Sequence, residues 1–250
     1  MWVAGLRALY FQALHPRVIR GFTQNSDYRE GTWSRLARTT GYVGNTTYGT
    51  VEQAHRAAAR VRRIHDRLTA VDPATGERYG IGDPDLLLWV HCCEIDSYLQ
   101  VVRRAGMRLS HAEADTYVRE QRWRAWLVGI DPRDAPADTA ALETYFTAVR
   151  PSLAGTPEAR NVARFIMFPP MNWALQLTVA RPGWAGIGAL AYALLPGWAR
   201  DLFGIAPPVS RLATTAALRA LRVAALTVPR PLREGPHIRD ARRRIEAAGA

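Results

Sequence analysis

Lysine is absent from this 250-residue sequence, so all 33 basic residues are arginines. A phosphate-binding loop of the Gly-rich type needs a lysine that reaches the phosphates, and that class of nucleotide site is therefore excluded. With 22 acidic residues the net charge is +11, but arginines occur throughout the chain among acids, which favours a solvated surface. Zinc-finger spacings and RNA-binding aromatic motifs are missing too, so we expect no nucleic-acid partner.

Cysteine occurs only twice, as the adjacent pair Cys92 and Cys93 in an apolar run. Such a pair makes no disulfide framework, which favours a reducing compartment. The first residues also lack the pattern of a secretory signal, so the sequence predicts a cytoplasmic protein. The apolar stretch 182–198 is shorter than the roughly 20 residues that cross a bilayer, and we expect no stable membrane insertion.

Runs of alternating apolar and polar residues are too short to predict any strand, and no repeat of fixed period is found. The sequence therefore predicts an all-α fold, a compact bundle of roughly ten helices with short Gly- and Pro-containing connections. We predict one domain over residues 1–250, with a core over 9–105 and C-terminal helices over 110–250 that pack on it. A nucleophile elbow of the Gly-x-Ser-x-Gly type is missing, so a hydrolase is poorly supported.

One predicted helix, from Val51 to Leu68, carries a histidine on its apolar stripe. Thr50 and Gln53 form a capping box at its start. Its stripe follows three- and four-residue steps and predicts an inward-facing His65: Ala54, Ala58, Val61, His65 and Leu68. A buried imidazole needs a partner. That partner is either a backbone carbonyl, as for an ordinary core histidine, or a metal or haem iron.

A second pattern lies upstream, on a predicted helix from about Trp33 to Tyr42. Arg35 and Thr39 are four residues apart and share a helix face, which Tyr42 continues. A cation beside a hydroxyl suits a bound anion or a polarised oxygen species. The alternative is a solvated arginine beside a helix cap.

A third pattern lies on the helix predicted to begin at Asp83-Pro84, which is apolar nearly all round and should be buried. It carries His91, Glu94 and Asp96. Either these groups bond to the backbone or to one another, or His91 and Glu94 face a pocket as proton carriers or supports for a ligand. The apolar residues around Trp89 and after Pro182 could line a channel, or they form ordinary core.

In order and spacing, these segments resemble the MpaB-like oxygenase and rubber oxygenase (latex-clearing protein) family. The likeness rests on Arg35-x-x-x-Thr39 followed by Arg62-x-x-His65. Neighbouring segments agree with it: Leu14-His15-Pro16, Gly21, Ser26-Asp27, Tyr79, Asp83-Pro84 and Leu88-Trp89-Val90-His91. The resemblance is good from about Leu9 to Tyr98 and weaker toward Pro236.

The resemblance implies a globin-like core around haem b. It makes His65 the axial ligand of the iron, supported by Arg62, and makes Arg35 and Thr39 groups that position or polarise dioxygen. Arg38 falls where rubber oxygenases carry a lysine, and an arginine does not easily give up its proton. His91, His55, Glu94 and Tyr42 are further candidates around the site, while Asp27 and Glu30 are candidate bases by proximity only.

The resemblance further implies oxidative cleavage of a C=C bond in an apolar, isoprenoid-like small molecule, with dioxygen as co-substrate. Two other readings stay open. Glu52-x-x-His55 has the spacing of a carboxylate-bridged di-iron site, although the sequence has no second such pair. The chain could also be a non-catalytic helical protein that binds haem or an apolar ligand.

Overall fold

The computed structural model describes residues 2–26, 31–72, 75–207 and 209–249, apart from the side chains of Arg35, Ala174 and Gln176. These residues are mainly helical, which confirms the all-α class. The first seven helices are α1 Trp2–Gln12, α2 Pro16–Gln24, α3 Thr32–Tyr48, α4 Val51–His65, α5 Pro84–Arg104, α6 His111–Val128 and α7 Thr139–Val149. The others are α8 Pro157–Met167, α9 Trp173–Gln176, α10 Ala180–Ala193, α11 Gly197–Phe203, α12 Arg211–Thr227, α13 Arg230–Arg233 and α14 Pro236–Ala248, with a short 3-10 helix at Arg150–Ser152.

The core is built around α1, which packs against α5, α8 and α10. Most of α1 is buried because its residues are apolar on nearly every side. Trp89 of α5 is fully buried against Phe11 and Phe146, and its indole N–H donates to the carbonyl of Gln12 at 3.1 Å. Trp89 is therefore a core residue and does not line a channel.

A two-stranded antiparallel hairpin, β1 Thr69–Val71 and β2 Arg78–Gly80, connects α4 to α5. The prediction of no strand was wrong here, because each strand is only three residues long. Ala70 and Tyr79 are paired across the strands, are both buried, and cluster with Leu86 of α5. The Tyr79 hydroxyl also donates to the carbonyl of Arg17 at 2.7 Å. The hairpin thus fixes the end of α4 relative to α2 and the start of α5.

Helices α3 and α4 form a helical hairpin joined at Gly49 and Thr50. Helix α4 packs on α6 through Ala54, Ala58 and Leu127, while α3 packs on α14. No described side chain of α3 is fully buried, so this hairpin lies at the margin of the main core. No helix in the described ranges has the length and apolarity needed to cross a membrane.

Candidate functional site

The α3–α4 hairpin brings both parts of the predicted motif to the same end. At 1.5 Å per residue, Thr39 and Arg35 lie about 15 and 21 Å from the turn at Gly49 along α3. Arg62 and His65 lie about 18 and 22 Å from Thr50 along α4. Because the two helices pack side by side, the four backbone positions occupy one end of the hairpin, opposite its turn.

His65 is the last residue of α4, and Asp66 caps the helix. The predicted extension of this helix to Leu68 is wrong, because the chain turns after His65 and the Leu68 N–H donates back to the His65 carbonyl at 3.2 Å. Gly82 lies against this turn: a Cβ built on it would be 3.6 Å from the Cβ of His65. On the predicted stripe, Ala54 and Ala58 are buried, whereas His65 is only half-buried.

The other motif residues differ in their surroundings. Nη1 of Arg62 donates to the carbonyl of Leu127 at 2.6 Å and so ties α4 to the end of α6. Thr39 and Arg38 are exposed, and Nη1 of Arg38 lies 3.5 Å from Oγ of Ser34. The Arg35 backbone is part of α3, but its side chain is outside the description. The candidate bases Asp27 and Glu30 lie outside the described residues.

A buried polar network lies between α3, α5 and α6. Its members are Tyr42, His91, Glu94 and Arg124, and we call it the Arg124 network. Arg124 and Glu94 form an ion pair of 2.7 Å with little solvent exposure. Nη1 of Arg124 also donates to Gln121 at 3.3 Å. Glu94 therefore pairs with an arginine of another helix and not with His91.

The electrostatics of this network fix its charge state. Burial alone would lower the pKa of Arg124, but Glu94 raises it overall. Burial, with Arg124, lowers the pKa of His91 to about 3, so this imidazole is neutral at ordinary pH. Burial raises the pKa of Tyr42 to about 12; Glu94 adds to this rise, while Arg124 and Arg62 oppose it. The phenol is thus within electrostatic reach of charged groups on α4, α5 and α6.

Two nitrogens of the Arg124 network are buried without a hydrogen-bond partner among the described residues. They are Nε2 of His91 and Nε of Arg124. His91 is only 6% exposed. An unpaired buried polar atom costs free energy, so such atoms commonly mark a place where another polar group binds. The network is therefore a candidate partner for a group held beside α3 and α4.

His55 and Glu52 take different environments. The His55 ring packs edge-on against Trp123 and Trp126, with centroids 5.5 and 5.4 Å away. Glu52 pairs with Arg56 on the surface of α4. The described ranges contain no group of three or more His, Cys, Asp or Glu side chains that could hold a metal ion. The Glu52-x-x-His55 spacing is thus explained by a surface ion pair and an aromatic contact.

Two clefts lie in the described part of the chain. One, of about 200 Å³, is lined by Met167, Phe168, Pro169, Pro170, Met171 and Arg181. The other, of about 310 Å³, lies between α1, α5, α11 and α12 and is lined in part by arginines. Neither includes a residue of the Arg35–His65 motif or of the Arg124 network.

Comparison with known families decides the identity at family level. The family model for the catalytic domain of the ER-bound oxygenase mpaB/B′ and rubber oxygenase matches residues 1–228 of the sequence. The chain belongs to this family. No curated protein and no solved structure matches the chain significantly. Membership confirms the resemblance drawn from the sequence, and it supports an oxygenase activity.

Arg124 is the member of this oxygenase domain's buried network that sequence reasoning missed. It comes 30 residues after its partner Glu94, on another helix, so no local pattern links the two. A weak signal was present: Tyr117, Gln121 and Arg124 follow i, i+4, i+7 and share a face of α6. That face lies beside the buried stripe of Ala114, Val118 and Ala125.

Proposed function

We propose that this chain is a haem b-dependent oxygenase that uses dioxygen to oxidise a small apolar molecule. The substrate class is an isoprenoid or other alkene-containing compound, and the reaction is oxidative cleavage of a C=C bond or a related oxidation. One observation carries the proposal: Arg35 and Thr39 on α3 and Arg62 and His65 on α4 share one end of a helical hairpin.

Two histidines offer chemical groups that a haem could bind. A helix-borne imidazole is the common protein ligand of haem iron, and His65 offers one at the end of α4. The unpartnered, neutral His91 nitrogen supplies a buried polar atom that can accept or donate a hydrogen bond without a change in charge. When bound, the haem supplies the redox chemistry that activates dioxygen.

The chain's own residues would then have separate roles in binding the haem and positioning dioxygen. His65 holds the iron, and Arg62 keeps α4 fixed on α6 through its bond to Leu127. Arg35 and Thr39 would orient dioxygen through a cation and a hydroxyl donor. An arginine does not easily give up its proton, so Arg38 would donate hydrogen bonds and would not act as a base. The charges of Arg124 and Glu94 act on the Tyr42 phenol of α3, since both affect its pKa.

We also propose that the protein acts in a reducing, cytoplasmic compartment. Cys92 and Cys93 are free and buried within α5. Burial raises the pKa of both thiols, so they stay protonated and unreactive.

The test of this function is oxygen uptake by the haem-loaded protein with geranylgeraniol as the alkene. We expect uptake and the appearance of carbonyl products that contain label from ¹⁸O₂. Thr39→Val removes the hydroxyl at nearly constant volume and should lower the rate about 100-fold, as for the loss of one preorganised donor.

The matched control is Thr40→Val, because the adjacent Thr40 hydroxyl donates to the carbonyl of Leu36 in its own helix. This variant should keep the parent rate within about twofold. Haem-loaded protein that consumes no oxygen with any alkene offered would instead favour a non-catalytic haem-binding protein. Equal rates in Thr39→Val and Thr40→Val would show that the Thr39 hydroxyl takes no part in the reaction.

A further inference from the structure

The larger cleft gathers arginines from four helices. Arg7 of α1, Arg104 of α5, Arg200 of α11 and Arg211 of α12 all line it, together with Asp96. Asp96 pairs with Arg7 at 2.8 Å, and both side chains are nearly inaccessible to solvent. Four guanidinium groups against one carboxylate leave a charge of about +3 in a space of about 310 Å³.

Like charges held this close repel one another unless an anion lies between them. Burial lowers the pKa of Arg104, and Arg211, Arg200 and Arg7 lower it further. An arginine does not escape this repulsion by losing its proton at ordinary pH. The cleft therefore carries unbalanced positive charge whatever the solution conditions.

The hydrogen bonds show which of these groups are free to take a ligand. All three nitrogens of Arg7 are engaged, with Leu194, Ser97 and Asp96. Arg104 uses Nε and Nη2 for Thr215 and for the carbonyl of Arg211. Within the described ranges, Nη1 of Arg104 and the whole guanidinium of Arg211 make no hydrogen bond, whereas Arg200 uses one nitrogen for the carbonyls of Ala193 and Leu195.

Neighbouring bonds hold two of these guanidiniums in place, those of Arg104 and Arg200. Arg104 is fixed by Thr215 on the first turns of α12, and Arg200 is fixed by the end of α10. Arg211 is the first residue of α12, a helix of 17 residues, so its backbone adds the positive end of a helix dipole to the same cleft. Preorganised donors of this kind bind anions without a large cost in side-chain entropy.

We propose that this cleft is a binding site for the phosphate or diphosphate group of a small molecule. A charge of about +3 matches a di- or trivalent anion better than a single carboxylate, and guanidinium groups bind phosphate oxygens in pairs. Ala193, Leu194 and Pro196 also line the cleft beside the arginines. None of these observations depends on haem. The anion site can therefore be tested independently of the proposed oxygenase reaction.

The distribution of charge along the chain is consistent with this site. From Ala159 to Arg233 the sequence has nine arginines and one acid, Asp201. The expectation that acids accompany the arginines throughout the sequence is therefore wrong for this stretch, which includes Arg200 and Arg211. The excess of positive charge raises the local concentration of anions and steers them toward the cleft.

The test is calorimetric titration of the full chain with sodium phosphate and sodium diphosphate at constant ionic strength. We expect saturable binding to one site, with diphosphate the tighter ligand. Arg211→Gln and Arg104→Gln should each weaken binding about tenfold, since each removes one charge-assisted donor. Vesicles that contain phosphatidic acid form a second arm, and Arg211-dependent binding there alone would identify a lipid headgroup as the source of the phosphate.

Arg219→Gln is the matched control, because Arg219 is exposed on the same helix, outside the lining of the cleft. It makes the same change in charge and should alter affinity less than twofold. Asp96→Asn should change the affinity in the opposite direction and tighten anion binding. Circular dichroism checks that this variant keeps its fold. Equal losses in Arg219→Gln and Arg211→Gln, or no saturable binding in either arm, would overturn the proposal.

Discussion

Glu94 and Asp96 lie two residues apart on α5, yet each pairs with an arginine from a different helix. Glu94 pairs with Arg124 of α6 at 2.7 Å, and Asp96 pairs with Arg7 of α1 at 2.8 Å. Removal of one partner from such a pair leaves an uncompensated buried charge, which typically costs about 3–5 kcal/mol. These two pairs therefore set the position of α5 between the main core and the α3–α4 side of the molecule.

His91 lies one turn before Glu94 and makes the stability of the fold depend on pH. Its pKa in the folded chain, about 3, is below the ordinary value of 6.5. Unfolding therefore takes up a proton in this range, and the contribution of neutral His91 is fully present above pH 6.5 and decreases as the pH falls toward 3. Relative to His91→Gln, the wild type should lose up to about 1.4 kcal/mol of unfolding free energy per pH unit.

Urea unfolding of both proteins at pH 6.5, 5.5 and 4.5 measures this difference. His111→Gln is the control, because His111 is exposed and its loss should leave the slope unchanged. Parallel curves for the wild type and His91→Gln would show that His91 is not buried as the structure describes.

The sequence could predict that the polar residues of α5 are buried, but not what they contact. The apolar residues around them indicated burial, and this is confirmed for His91 and Asp96. The arginine partners of Glu94 and Asp96 lie on other helices, 30 and 89 residues away in the sequence. No local pattern selects Arg124 or Arg7 from the 33 arginines. For the same reason the positions of Arg35, Thr39 and His65 in a reaction site stay a prediction.

At the scale of elements, helix starts follow local chemistry. The predicted capping box at Thr50–Gln53 is confirmed, and Ser110–Glu113 forms a second one, with reciprocal bonds in each. Asp83 caps α5 with Pro84 at its first position, also as predicted. Such starts are readable because the interacting groups lie within four residues of each other.

Loss of the Thr50 cap should destabilise the α3–α4 hairpin. Thr50→Ala removes the acceptor for the Gln53 N–H and should lower the unfolding free energy by about 1 kcal/mol. Thr147→Ala is the control, because Thr147 is exposed inside α7 and alanine suits a helix interior at least as well. Chemical denaturation measures both values, and a Thr50→Ala protein as stable as Thr147→Ala would contradict the cap.

Other boundaries were wrong where tertiary contacts decide them. The helix predicted from about Trp33 to Tyr42 is longer than expected: α3 runs to Tyr48 and includes Gly44 and Asn45. Gly44 faces His237 of α14 so closely that an added Cβ would overlap the imidazole. The glycine thus serves a helix contact almost 200 residues away. Residues 16–24 were also not predicted as a helix, although Pro16 starts α2.

At the scale of the whole molecule, the core and the candidate site are separate regions. The buried aromatic centre is formed by α1, α5 and the helices around them, whereas the motif lies on a hairpin with few buried side chains. Because the main core cluster includes no residue of the hairpin, we expect residues at the end of the hairpin to change with modest cost to the fold. This separation is consistent with the proposed binding of a cofactor and a substrate at the hairpin.

The most direct test of the proposed function is the visible spectrum of the purified protein after expression with a haem precursor. The account predicts a Soret band and about one haem per chain for the wild type, and loss of both in His65→Ala with the fold intact by circular dichroism. His55→Ala should keep the band, because His55 packs against Trp123 and Trp126 away from the motif. A colourless wild type, or a Soret band that survives in His65→Ala, would contradict the account.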